Sequence, residues 1–309
     1  MITSVFRKST PLNFALVVIF LLLFFLVVQL QETSWMSSYF LLCKKVASFC
    51  FVAASMFLTD FIAKRNGLTK DSTYTIFFYL LFLLFFPSIF DNINVVIANF
   101  FLLLALRRLI SLQSLKASKE KIFDASLWIF LASLFHFWSI VFIVLVFISI
   151  IFHVARDYRN WILPFIAFFV TGIIFLLFTT VFQMDGLVYI KNSFRVHFAL
   201  DYFTNNYQNA AMSIFVTVAL FFTISMFASL SSRPQILHTS YKKVVASFAL
   251  GAVIYLISDD KSNDLLLFTF APLAIMATSH IEVPQEKVRQ EIVFYVLIVC
   301  SLLTFFCQL

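Results

Sequence analysis

Charge is scarce in this chain. Lys, Arg, Asp and Glu make up 12% of its 309 residues, about half the share found in a soluble domain. That scarcity excludes a sizeable soluble domain, because the segments between apolar runs are all short. Glycine is scarcer still, with four residues in the whole chain. Helices so poor in small residues have few places for close approach, which argues against a mobile transport bundle. Four cysteines are present, Cys43, Cys50, Cys300 and Cys307. Their two i, i+7 pairs read as two helix faces, with neither a metal-binding pattern nor a disulfide framework. GxGxxG, Walker, HExxH and GxSxG patterns are all missing, so a soluble-type nucleotide site has no support.

What is abundant is apolar. Hydrophobic residues reach 62% and the mean hydropathy is +0.99. Apolar segments recur at 13–30, 47–63, 73–89, 93–106, 123–135, 137–154, 161–182, 209–230, 243–258, 264–279 and 292–308. Many approach the roughly 20 residues that cross a bilayer. The sequence therefore predicts an all-α, polytopic integral membrane protein, a single transmembrane helical domain over residues 1–309. The shorter segments predict broken helices lining a cavity. Residues 35–46, WMSSYFLLCKKV, read as an interfacial amphipathic helix, with a longer tilted second span as the alternative. The 44 Phe residues read as lipid-facing bulk, with a specific aromatic site as the alternative. The start, MITSVFRKSTPLNF, has basic residues before an apolar run but no small-residue cleavage site, so a retained first helix is expected.

Net charge is +7, but the cations fall in short clusters between spans, as in cytoplasmic loops. Membrane lipid, not nucleic acid, is the expected partner. The stretch 123–154, FDASLWIFLASLFHFWSIVFIVLVFISIIFHV, decides the sidedness of every later segment. At 1.5 Å per residue it makes about 48 Å of helix, long for one crossing and tight for two. With Arg7 and Lys8 in the cytoplasm, one crossing would put Arg156, Arg159, Arg233, Lys242 and Lys243 outside. Two crossings return them all, leaving seventeen of 22 Lys and Arg inside. The exceptions are Lys44, Lys45, Lys191, Arg195 and Lys261. The positive-inside rule selects two crossings: eleven spans in a bacterial inner membrane, N-terminus in, C-terminus at the outer face. The pair must turn near Phe135 to Ser139.

This topology puts four polar segments on the outer face. QETSW carries Glu32 and PSIFDNIN carries Asp91. A carboxylate at either place, within hydrogen-bond reach of an acceptor hydroxyl, has the chemistry of a general base; otherwise it is simply solvated. The longest loop, 183–209, holds Lys191, Arg195 and His197 among Tyr and Phe. Lys191 and Arg195 are i, i+4 and would share a helix face. With His197 they suit a substrate phosphate through charge-assisted hydrogen bonds; the alternative is a solvated loop touching lipid headgroups. In SDDKSND, Asp259 and Asp260 offer oxygen ligands to a divalent cation, against an acidic turn. No other cofactor or metal is expected. His136, in LFHFWS, is an ionisable group inside an apolar stretch and so a candidate member of an outer cavity; the alternative is a neutral imidazole bonded to a carbonyl at the helix break. Asp60 is expected to neutralise Lys64 one turn on.

Two segments carry a resemblance. The order from Asn94 to Leu109, NxxxAxxxLLLALRRL, then a basic linker and LASLFHFWSIVFI from Leu131 to Ile143, resembles the middle of Wzy/EpsG-like polysaccharide polymerases. The hairpin ending in ARDYR is also similar to lipid-linked-sugar glycosyltransferases of the GT-C fold, which place a catalytic carboxylate in the first outer loop. Glu32 occupies that position, although GT-C enzymes usually carry an Asp or a paired acidic motif there. The whole chain most resembles a family of bacterial polytopic inner-membrane proteins of this length and unknown function. These resemblances imply a membrane glycosyltransferase or polymerase using a polyprenyl-phosphate-linked sugar. A non-catalytic subunit of a cell-envelope assembly and a transporter or flippase are the alternatives.

Overall fold

The computed structural model describes residues 2–31, 35–36, 38–183, 185–196, 206–259, 261–283 and 287–309. Its helices are α1 (Ile2–Phe6), α2 (Pro11–Gln31), α3 (Tyr39–Arg65), α4 (Tyr74–Leu84), α5 (Ile93–Ser111), α6 (Ser118–Phe135), α7 (Ile143–His153), α8 (Arg159–Val181), α9 (Gly186–Ser193), α10 (Asn206–Leu230), α11 (Gln235–Ile257), α12 (Leu267–Glu282) and α13 (Lys287–Gln308). Among the described residues there is no strand, only an isolated antiparallel bridge between Val196 and Ser258. Among the described residues eight helices are long and apolar enough to cross a membrane, which gives the chain the architecture of a multi-pass membrane protein. Each of the eleven expected apolar segments is helical, but three fall short as free-standing spans. Helices α4 and α7 have 11 residues each, and α6 carries Lys119, Glu120, Lys121 and Asp124 in its first two turns.

The helices run between two ends of the bundle. At one end Thr73 donates to the Phe6 carbonyl, Lys70 and Ser72 bind Glu282, Gln113 reaches the Ile236 carbonyl, and Arg233 reaches Ser279. At the other, Lys45 pairs with Asp91, Ser88 with Asp264, and His136 with Ser258. All Lys and Arg except Lys44, Lys45, Lys191, Arg195 and Lys261 lie in the segments that meet at the first end. We call it the basic end and the opposite one the His136 end.

The separate interfacial helix expected over residues 35–46 is not a distinct element. The chain enters α3 at Tyr39 and continues unbroken to Arg65. Residues 35–65 contain neither Gly nor Pro, so nothing stops the helix where the lysine pair sits. Its 27 residues make about 40 Å, enough for a tilted crossing. Within it, Asp60 pairs with Lys64 at 2.9 Å, the i, i+4 neutralisation expected from the sequence. Conversely, the apolar run 73–89 does not continue as one helix to its end. Pro87 pushes Phe86 out of helical geometry (φ −140°, ψ 79°) and opens a short 3-10 turn, Pro87–Asp91.

The stretch 123–154 is a hairpin. Helix α6 stops at Phe135, His136 is extended (φ −138°, ψ 108°), and a 3-10 turn, Phe137–Phe142, leads into α7. Lys119, before the hairpin, lies 3.4 Å from Asp157, after it, so the chain has returned to the end it left. The backbone N–H of Arg159 and the Lys119 ammonium hold the Asp157 carboxyl below the usual carboxylate range. The first arm is longer than the apolar stretch alone, because α6 begins at Ser118. Its 18 residues span about 27 Å. The 3-10 turn and α7 together span about 28 Å.

The core is built on α4 and α12. Every residue of α4 is buried, and so is every residue from Asn263 to Glu282 except the half-buried His280. Phe78, Phe82, Phe86, Phe215, Phe270 and Phe294 meet there in stacked and edge-on pairs. Phenylalanine therefore fills the interior as well as the outer faces, where Phe165, Phe169 and Phe178 of α8 are exposed. Helix α11 lies close against α12 at Gly251, where a Cβ would come 3.0 Å from the Phe268 carbonyl oxygen.

Candidate functional site

The hairpin turn sets His136 on the wall of a cavity of about 220 Å³, with Asn92, Asn94, Trp138, Tyr189 and Asp259 around it. His136 Nε2 lies 3.2 Å from Ser258 Oγ. The single hydroxyl proton of Ser258 is already donated to the Ile254 carbonyl at 2.8 Å. Nε2 must therefore carry the proton and donate to Oγ. Assigned in this way, the neutral ring keeps its lone pair on Nδ1. A nitrogen so prepared can accept a proton from a hydroxyl placed within reach.

The segment after α8 folds back over this cavity. Tyr189, on α9, donates its hydroxyl proton to the Leu134 carbonyl at 2.7 Å, satisfying one of the open carbonyls at the end of α6. Phe194 stacks on Trp138 with ring centres 5.8 Å apart, and Trp138 Nε1 donates to the Arg195 carbonyl at 3.3 Å. The bridge from Val196 to Ser258 then sets the backbone of Arg195 beside that of Asp259.

A second cavity, of about 310 Å³, opens at the same end between Gln29, Lys45, Ser88, Asp91, Gln208 and Gln308. Asp91 pairs with Lys45 here. The wall between the cavities holds Asp264, a buried carboxylate. It accepts from Ser88 Oγ at 2.6 Å, Ser262 Oγ at 3.1 Å and Asn92 Nδ2 at 3.4 Å. Asn92 lines the first cavity and Ser88 the second, so one polar cluster braces both.

The sequence-derived candidates thus separate. His136 and Asp259 line one cavity, and the backbone of Arg195 runs at its rim. Asp91 lines the neighbouring one. Lys191 is exposed on α9. Glu32, His197 and Asp260 lie outside the described residues. Among the described residues no three His, Cys, Asp or Glu side chains come together as metal ligands.

The family model for DUF6427, a family of unknown function, matches residues 5–309. The chain belongs to this family. No curated protein and no solved structure matches it. For this DUF6427 chain the polar cavities themselves are therefore the guide to chemistry.

Two residues of the site escape sequence reasoning. Asp264 reads as the last acid of an acidic turn, yet it is buried; its place at the head of the apolar segment 264–279 is the one sign of it. Ser258 reads as a loop residue. Only the return of α11 to the His136 hairpin gives it a partner.

Proposed function

We propose that this DUF6427 chain acts at the outer face of the bacterial inner membrane on a polyprenyl-phosphate-linked sugar, as a glycosyltransferase or polysaccharide polymerase. The reading rests on the convergence of His136, Asp259, Trp138 and Tyr189 on one cavity at the end poor in Lys and Arg. Cations held back from the cytoplasmic side are unusual. Arg195 and Lys191, on the segment that covers the cavity, suit the diphosphate of such a donor. Trp138 and Tyr189 suit stacking against a sugar ring. His136 is the group suited to take a proton from the acceptor hydroxyl. The motif resemblance to GT-C and Wzy/EpsG-like enzymes points the same way.

The test is the lipid-linked-sugar profile of a strain lacking the chain, complemented with His136→Ala or Arg195→Ala at normal protein levels. Accumulated lipid-linked sugar in the deletion, uncorrected by either variant, is the expected result. An unchanged pool in the deletion strain overturns the reading.

One observation favours a second reading, a non-catalytic membrane subunit of an envelope assembly. Asp91 is tied to Lys45, and Asp264 to three protein donors, so both carboxylates serve the fold. Full complementation by His136→Ala and Arg195→Ala, in a strain whose deletion has a phenotype, selects it.

A further inference from the structure

The basic end holds a cavity of about 600 Å³ that takes no part in the proposed sugar transfer. Arg65 closes α3, Arg107 and Arg108 close α5, Lys116 sits in the following loop and Lys121 in the first turn of α6. All five line the cavity, and no described lining residue is a carboxylate. Arg108 pairs with Asp124 at 2.9 Å, the one ion pair that any of the five makes among the described residues.

These cations are held in place. Lys121 Nζ donates to the Ser111 carbonyl at 2.7 Å and to Ser114 Oγ at 2.8 Å. The Arg107 guanidinium lies over the Phe61 ring, 4.9 Å from its centre. The loop carrying Lys116 bends through Leu115 and Ala117, both in the left-handed region (φ 55° and 50°). Gln113 pins it to α11, donating to the Ile236 carbonyl at 2.8 Å and accepting from Ser240 at 2.9 Å. Five like charges around one recess repel each other, and an anion seated among them relieves that repulsion. Asn66, Ser111, Gln113 and Ser114 complete the polar lining, and the apolar part of the wall is Phe61 of α3 and Ile236 of α11, both exposed. The site therefore pairs a cationic pocket with an apolar flank.

We propose that this cavity binds the phosphate head group of an anionic phospholipid. Arg65, Arg107 and Lys116 hold the phosphate oxygens, Lys121 adds its fixed charge, and the acyl chains lie along Phe61 and Ile236. A free phosphate or pyrophosphate presents the same chemistry without the tail.

The full chain in nonionic detergent, titrated separately with phosphatidylglycerol, phosphatidylcholine and inorganic pyrophosphate, tests this by native mass spectrometry. One saturable phosphatidylglycerol per chain is expected, bound about tenfold tighter than phosphatidylcholine, and weakened about tenfold by Arg65→Gln with Arg107→Gln. Competition by pyrophosphate, with no preference for phosphatidylglycerol, supports the phosphate site and assigns it to a soluble ligand. Equal binding of both lipids together with no pyrophosphate binding overturns the proposal. If the double variant fails to fold, Lys116→Glu, in an exposed loop, is expected to weaken phosphatidylglycerol binding; unchanged affinity there also overturns it.

Discussion

The imidazole of His136 and the hydroxyl of Ser258 meet at 3.2 Å across 122 residues of sequence. The contact joins the turn of the α6–α7 hairpin to the end of α11. It also sets which ring nitrogen carries the proton, because the Ser258 proton is spent on Ile254. Ser258→Ala is expected to strand that Nε2–H and destabilise the chain by about 1–3 kcal/mol. Thermal unfolding of the purified protein reads the loss, and Ser258→Thr should recover most of it. Nitrogen chemical shifts of labelled His136 should show an unprotonated Nδ1 in the native protein.

Asp264 and Asp91 are neighbours with opposite weights. Asp264 is buried and accepts from Ser88, Ser262 and Asn92. Asp264→Ala leaves those donors unpaired and should cost about 1–3 kcal/mol. Asp91 is 56% exposed at its side chain and pairs with Lys45. Removing it should cost less than about 1 kcal/mol. Parallel melting curves of the two variants measure the difference, and equal losses would contradict the burial argument.

The pair Lys119–Asp157 closes the hairpin at the basic end. Cysteines at these two positions should crosslink through a short bifunctional reagent in native membranes. Both should be labelled from the same side, opposite to a cysteine placed at Trp138. A reporter fused after Arg159 should be cytoplasmic. A periplasmic signal there would overturn the double crossing.

Two glycines give effects of opposite sign. At Gly251 a Cβ would sit 3.0 Å from backbone and side-chain atoms of α12, so Gly251→Val should destabilise by about 1–3 kcal/mol through overpacking. At Gly172, in the exposed stretch of α8, nothing lies within 4 Å. Gly172→Ala should stabilise by up to about 1 kcal/mol through helix propensity. Denaturant or thermal midpoints in one detergent compare the pair.

Much of the bundle was legible in the sequence. Charge parity required the chain to turn near His136, and the 3.4 Å approach of Lys119 to Asp157 is that turn seen from its open end. The Asp60–Lys64 pair followed from spacing alone. The interfacial helix at 35–46 failed because a lysine pair marks an interface without breaking a helix. The site was legible only in part. LFHFWS flagged His136 as an ionisable group in an apolar run, but nothing in SDDKSND distinguished buried Asp264 from Asp259. Burial there depends on Ser88 and Asn92, donors supplied by a turn far away in sequence.

Hydrophobic periodicity and scarce charge determined an all-helical, multi-pass chain, because each is a property of a segment in its own solvent. The tertiary structure decided what those properties leave open. The α6–α7 break has no Gly or Pro to cause it. It is held instead by Ser258, by the Tyr189 hydroxyl on the Leu134 carbonyl and by Trp138 against the Arg195 segment. Hydrogen bonds between distant segments exist only once the helices are packed. For that reason the cavities at both ends, and the residues that share them, belong to the fold and not to any stretch of sequence.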